Sequence, residues 1–439
     1  GRWLPLEAQA DRIRVKGGAD VNVEHLYTRH GPVVAVDTNR HQAVVLRWTG
    51  DEPGTVGYLG NLSLDRAASA REFRAALVHH KMPAENFVYA DVDGNIGYQA
   101  AGLSPIRKGW PGLLPVPGWT GEHEWEGWFT LDDLPHAENP ASGWLATANN
   151  NVLPPGEKKP IGYEWLDPAR INRIREVLGT ADKFDIKAFE RLQHDAVAWN
   201  AEQLVPLLDH VRIEETDGDR ARRLLLGWDR TMARTSVAAT IYATWEDQLV
   251  ATLIADKITG PLAAEFVARG GDWLVPALTH PNATWFGQAG ARGRDSALVT
   301  ALTQAVAGLK QKLGPDLDQW KWERLHTATF RHPLGVNPSL ASLFNVGPIA
   351  RDGYALTPLS TGGPSYTQTI GATFREIMDL SDWDRSVATS APGQSGQPGS
   401  PHFSDLAKLW QDGQYFPLPF TETAVRAASE TTLTLTPSK

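Results

Sequence analysis

The chain has 439 residues, and its 42 Lys+Arg against 51 Asp+Glu leave a formal charge of −9; at roughly 150 residues per domain it has room for two or three domains' worth of core. An acidic balance without a run of five Lys/Arg offers no footprint for a phosphate backbone or an anionic bilayer, and no window approaches the ~18 apolar residues of a membrane span, so neither nucleic acid nor membrane is an expected partner. The absence of cysteine removes disulfides, thiolate nucleophiles, zinc–thiolate sites and iron–sulfur clusters, while leaving the compartment open.

The opening Gly1-Arg2-Trp3 has no initiator Met and no leader-like apolar run, and is read as the start of a mature or truncated piece. Short Val/Tyr/Trp-rich runs at 12–16, 25–29, 33–36 and 43–48, separated by Gly/Asp/Pro punctuation, predict consecutive strands. One helix is predicted over 67–79, with Phe73, Ala76 and Leu77 on a common face. Residues 86–99 predict a β-hairpin whose turn is Asp93-Gly94, a dipeptide suited to a primed turn. A further apolar strand is predicted over 143–146.

Past about 168 the period becomes helical. Asp185 is placed as an N-cap, with Phe184 and Phe189 as a hydrophobic staple. Further helices are predicted over 219–232, 236–256, 260–269 and 295–313, and after about 340 the chain returns to turns and short strands. The organisation expected is a β-rich part over 1–165, a mostly helical region over 166–335 and a β-rich return over 336–439, in one α+β body.

Asp91-Val92-Asp93-Gly94-Asn95 has acidic spacing but lacks the Gly at position 6 and the Glu at position 12 of a calcium loop, so a turn explains it better. Ser395 lies in a Pro-rich loop with its second Gly one place too early for a nucleophile elbow. His79, His80, His123, His326 and His332 show no metal spacing. The 17 Trp residues, several beside acids as in Glu124-Trp125-Glu126-Gly127-Trp128, suit a sugar-stacking platform or, the preferred reading, core packing. Asn149-Asn150-Asn151 after residues 143–146 carries two equal readings: amide donors aimed at an anion, or an Asx-rich turn.

Read in order, Arg29-His30-Gly31, the stretch 89–98, Leu114-Pro115-Val116-Pro117-Gly118, Asn139-Pro140 followed by 143–150, Arg170-Ile171 with Ile174 and Leu178, Asp379-Leu380-Ser381 and Pro392-Gly393-Gln394-Ser395-Gly396 resemble the β-chain of the penicillin acylase (penicillin amidase) family along almost the whole chain. The resemblance implies an N-terminal-nucleophile hydrolase with a four-layer αββα core, here incomplete, carrying a largely helical insertion. It also implies self-cleavage of a zymogen into two chains that stay associated. In that family a side-chain nucleophile at the first β-chain residue attacks an amide carbonyl, its own α-amino group serving as base. Gly1 has no side chain to attack with, so the nucleophile segment and the α-chain are expected upstream as partners, and this fragment alone is expected to be inactive.

By the same resemblance Asn149 falls on the oxyanion-hole asparagine and Arg170 on the active-site arginine. Glu85 falls beside the acyl pocket, where phenylacetyl-selective members carry an apolar residue; a carboxylate there speaks against an aromatic acyl group. Glu164 falls near the family's structural calcium site. No cofactor is expected for the chemistry itself. The implied activity is hydrolysis of a linear amide in a small N-acyl compound, such as the side chain of a β-lactam or an N-acyl homoserine lactone, in the periplasm or outside the cell. The alternatives are a carbohydrate-binding or glycoside-processing protein and a non-catalytic homologue.

Overall fold

In the computed structural model, which describes residues 4–55, 60–157, 159, 161–269 and 271–437, the chain divides into two compact units. The first comprises 1–147 and 152–165; the second comprises 148–151 and 166–439. Residues 1–3, on which the Gly1 argument rests, lie outside the described residues.

The first unit is built from strands. Strands β1 (Glu7–Ile13), β2 (Val21–Thr28), β3 (Gly31–Asp37) and β4 (Gln42–Val45) form a four-stranded antiparallel sheet in chain order, β1 and β2 in register from Glu7↔Tyr27 to Ile13↔Val21. The first strand therefore lies earlier than the predicted 12–16. Residues 15–18 make a turn closed by the Gly18 N–H on the Val15 carbonyl at 3.2 Å, with Gly17 at φ +76°. Pairing with β2 recruits the polar run Glu7–Asp11, which propensity alone would not place in a sheet.

Strands β5 (Glu85–Ala90) and β6 (Ile96–Ala101) form the expected hairpin, joined by β9 (His136–Glu138), while β7 (Pro105–Arg107) pairs with β8 (Trp125–Trp128). The hairpin loop is not a two-residue primed turn. Gly94 N–H donates to the Asp91 carbonyl and Asp91 N–H to that of Asn95, with Gly94 at φ +88°, the pattern of a three-residue loop with a left-handed glycine. The Asp91 carboxylate accepts from the N–H groups of Asp93 and Asn95, so the turn consumes the acid that suggested a metal loop. Helix α1 (Ala70–Ala76) is capped by Ser69 and sets the Phe73 ring 5.1 Å from Tyr89.

Residues 144–147 pair with no strand, contrary to the prediction. The second unit holds α2 (Ala169–Leu178), α3 (Ile186–Gln193), α4 (Trp199–Leu204), α5 (Thr216–Leu226), α6 (Val237–Ala255), α7 (Pro261–Arg269), α8 (Leu274–Thr279), α9 (Ala283–Phe286) and α10 (Gly290–Leu313). It continues through strands β10 (Thr327–Phe330), β11 (Val346–Ala350), β12 (Arg375–Ile377), β13 (Val387–Thr389) and β14 (Phe416–Pro417), with α11 (Pro338–Phe344), α12 (Asp405–Gln411) and α13 (Glu422–Ala428) between and after them.

Asp185 caps α3 through the Ala188 N–H, and the Phe184 and Phe189 rings lie 5.8 Å apart, as the staple requires. Helix α6 is the core of this unit: Ile241, Trp245 and Leu249 are fully buried against α10, whose Leu298, Leu302 and Ala305 face it. The buried tryptophans are structural. The indole N–H groups of Trp245, Trp320, Trp322 and Trp410 each donate to a backbone carbonyl, at 2.9–3.2 Å, which lets a large apolar surface be buried without stranding its one polar group. Trp125 and Trp128 meet edge to face at 5.4 Å rather than presenting a flat platform. The α+β class follows directly from these elements.

Candidate functional site

Ala148 to Asn151 belong with the helical unit that follows rather than with the strands that precede them. Three consecutive asparagines could not be told apart by sequence, and the backbone assigns them different tasks. Asn150 is buried; its Oδ1 accepts from the Ala148 N–H at 3.0 Å and its Nδ2 donates to the Asn151 carbonyl at 2.8 Å. The turn reading is therefore met by Asn150, whose oxygen reaches back to residue 148 rather than forward as in an Asx turn. Asn149 is exposed, in the left-handed region at φ +61°, a conformation Asn tolerates better than most residues. Its backbone carbonyl accepts from the Leu166 N–H at 3.1 Å.

The side chain of Asn149 meets Arg170. The guanidinium Nη2 donates to the Asn149 Oδ1 at 2.6 Å. Arg170 can approach only the oxygen of that amide, because it has donors and no acceptor, so the contact decides which way the amide is turned. The oxygen is occupied and the Nδ2 hydrogens are directed elsewhere. Arg170 sits in the first turn of α2, where a cation is disfavoured by the helix dipole; its placement serves the asparagine rather than the helix.

Behind Arg170 lies a buried polar strip. Asp167 accepts from the Ala169 N–H at 2.8 Å and from the Asn200 Nδ2 at 3.3 Å. The same Nδ2 lies 3.4 Å from the Glu246 Oε1, which accepts the Tyr242 hydroxyl at 2.7 Å. Asn200, Tyr242 and Glu246 are buried. Burial pushes the Glu246 carboxyl up to about 8, with the charges of Asp167 and Asp247 adding to the shift. Burial also raises Asp167, against hydrogen bonds from Ala169 and Asn200 and the charge of Arg170. Asp167, Asn200 and Glu246 were not marked by the sequence; Asp167 and Glu246 are 79 residues apart with Asn200 between them.

Glu85 opens β5 opposite Ala101 in the first unit and is exposed. Glu164, also exposed, lies in the same unit. Among the described residues no group of three or more His, Asp or Glu side chains is arranged to hold a metal ion, so these residues do not by themselves make a calcium site around Glu164. No helix of the described residues is long and apolar enough to cross a membrane.

Comparison with known proteins adds to this geometry. A penicillin acylase 2 proenzyme of Pseudomonas sp. (strain SE83) is 29% identical over 450 residues, covering 99% of this chain and 57% of that protein. The acyl-homoserine lactone acylase QuiP of Pseudomonas fluorescens (strain Pf0-1) is 28% identical over 478 residues, covering 100% of this chain and 56% of that protein. The chain thus spans a little over half the length of these curated relatives. In fold it is similar to a thermostable penicillin G acylase from Alcaligenes faecalis, with a TM-score of 0.72 at 22% identity over 99% of this chain and 82% of that one. That likeness bears out the N-terminal-nucleophile hydrolase fold implied by the resemblance. The penicillin amidase family profile matches residues 1–427, and the chain belongs to that family.

Proposed function

We propose that this chain forms the larger part of an amidohydrolase that cleaves a linear amide in a small N-acyl compound, with Asn149 as oxyanion donor and Arg170 as the residue that orients it. The observation that carries the reading is the Arg170–Asn149 hydrogen bond at 2.6 Å. A tetrahedral intermediate places negative charge on the former carbonyl oxygen, and a fixed Nδ2–H stabilises charge that develops only there.

In the complete protein the nucleophile, a hydroxyl or thiol supplied from outside the residues described here, adds to the amide carbonyl. The C–N bond then breaks and the amine leaves with a proton. Water next cleaves the resulting acyl intermediate to the carboxylic acid. The α-chain and the nucleophile-bearing segment are the partners of this reading, and the periplasm or cell exterior is its compartment. Substrates of the two kinds named by the relatives, penicillins and acyl homoserine lactones, are the first to try. Glu85 would disfavour an aromatic acyl group, and a calcium ion at Glu164 would require its other ligands from elsewhere in the complete protein.

The test is Asn149→Ala in the complete protein, assayed on a panel of N-acyl homoserine lactones and a chromogenic phenylacetyl amide after maturation has been checked by gel. The expected loss in kcat is about 10²- to 10³-fold with little change in stability. Full activity in the variant discards the oxyanion role.

A further inference from the structure

Away from the Asn149 site, the helical unit holds two deeply buried arginines, neither of which has a bound carboxylate among the described residues. Arg351 is 1% exposed and Arg375 7%. The Arg351 guanidinium lies 3.6 Å from the centre of the Trp410 ring; its Nε donates to the Gln368 Oε1 at 3.1 Å and its Nη1 reaches the Trp410 and Gln411 carbonyls at 3.4 Å. Arg375 donates from Nη2 to the Leu359 carbonyl at 3.3 Å. All these acceptors are neutral. Removing two guanidinium charges from water costs several kcal/mol each unless an opposite charge or further hydrogen bonds compensate, and arginine does not shed its proton to escape the cost.

The donors left over come from segments that pack on one another. The Arg351 Nη2, the Arg375 Nη1, the Thr389 Oγ1 and the His194 Nε2 are all buried without a hydrogen-bond partner among the described residues. Arg375 and Thr389 are direct cross-strand partners of β12 and β13, so their side chains share one face. His194 ends α3, which packs on β12, and its neighbour Gln193 donates to the Glu376 carbonyl at 3.0 Å. Helix α12, which carries Trp410 and Gln411, packs on β13. Burial, with the charges of Arg375 and Arg351 adding to it, holds the His194 imidazole down to about 4, so it is neutral at pH 7 and can place its single N–H on Nε2. An open cleft of about 540 Å³ is lined by His194, Leu359 and Gln411 among others; Arg351, Arg375 and Thr389 are not on its wall, but the carbonyls of Leu359 and Gln411 are the ones that Arg375 and Arg351 hold.

We propose that Arg351, Arg375, Thr389 and His194 form a buried site for one small inorganic anion of chloride size, entered from this cleft and independent of the amidase reading. Two cationic forks, a hydroxyl and an imidazole N–H supply four donors and a net positive charge. The cleft wall carries Glu190, Asp352 and Asp412 against Arg191 and Arg234, so an anion of small size and single charge meets the least repulsion on entry.

The test uses the purified protein in sodium chloride and in sodium gluconate at equal ionic strength, with thermal unfolding as the readout, and crystals soaked in sodium bromide. Saturable stabilisation by chloride of about 2–4 °C at 100 mM, absent in gluconate and lost in Arg375→Met, is expected. So is an anomalous bromide peak between Arg351, Arg375 and Thr389. Equal melting in both salts, or bromide-soaked crystals without a peak there, overturns the proposal and leaves ordered water as the partner of these donors. If Arg375→Met does not fold, the bromide experiment on the parent decides alone.

Discussion

The apolar core around α6 and the polar strip behind Arg170 share one helix but follow opposite rules. In the core, Trp245 and Leu249 are fully buried and the one polar atom involved, the Trp245 indole N–H, is satisfied by the Leu298 carbonyl. Directly after Trp245, the same helix buries Glu246, whose contact with Asn200 is long at 3.4 Å, while the Asn200 Oδ1 has no hydrogen-bond partner among the described residues. A core built only for stability would place an apolar residue at Glu246, because well-packed apolar replacements of buried ionisable groups are often neutral or stabilising. The polar strip instead ties the base of α2, beside Arg170, to α6 at the expense of packing.

The comparison can be broken at either end. Trp245→Ala should have the largest effect on the fold, about 3–5 kcal/mol, because it opens a cavity in the core. Chemical denaturation measures this, and the folded fraction of the complete protein should keep its kcat. If activity falls with stability intact, the core and the site are not separable in the way described.

A smaller effect is expected one residue from the site. Asn150→Ala removes both side-chain hydrogen bonds of this turn and should cost about 1 kcal/mol of stability, with far less effect on kcat than any change at Asn149. Equal kinetic losses at both positions would merge the two roles that the backbone separates.

The mildest change sharpens the polar side. The Glu246 carboxyl is raised from 4.5 to about 8 in the folded chain, so between those values the folded state holds a proton that the unfolded state has released. The resulting stability is fully present below 4.5 and is lost as pH rises through about 8. Glu246→Gln keeps the shape and the hydrogen-bonding capacity without titrating. Thermal unfolding across this window should fall less steeply with pH in the variant than in the parent. Parallel slopes would mean that Glu246 stays ionised.

Local chemistry made much of this fold legible: the Asp185 cap, the Phe184–Phe189 staple, the helix beginning after Ser236 and the 86–99 hairpin all rest on neighbours in sequence. The differences come from strand pairing and from side chains that reshape a turn. Strand β1 exists because β2 pairs with it, and the hairpin loop is one residue longer because the Asp91 carboxylate gathers the Asp93 and Asn95 N–H groups. At the site, Asn149 and Arg170 were reached through a family resemblance; their contact, 21 residues apart in sequence, was not visible in any spacing. Asp167, Asn200 and Glu246 left no signal because a buried network is defined by the packing of α2, α4 and α6, which no single segment encodes.

In the proposed reading Arg170 holds the Asn149 oxygen so that the amide N–H faces the reacting carbonyl. Asn149→Asp tests it most directly, since a carboxylate keeps an acceptor for Arg170 but has no N–H to donate. The account predicts a matured, stably folded protein whose kcat falls by the same order as in Asn149→Ala, about 10²- to 10³-fold. An Asn149→Asp enzyme that matures and turns over at the parent rate would contradict it.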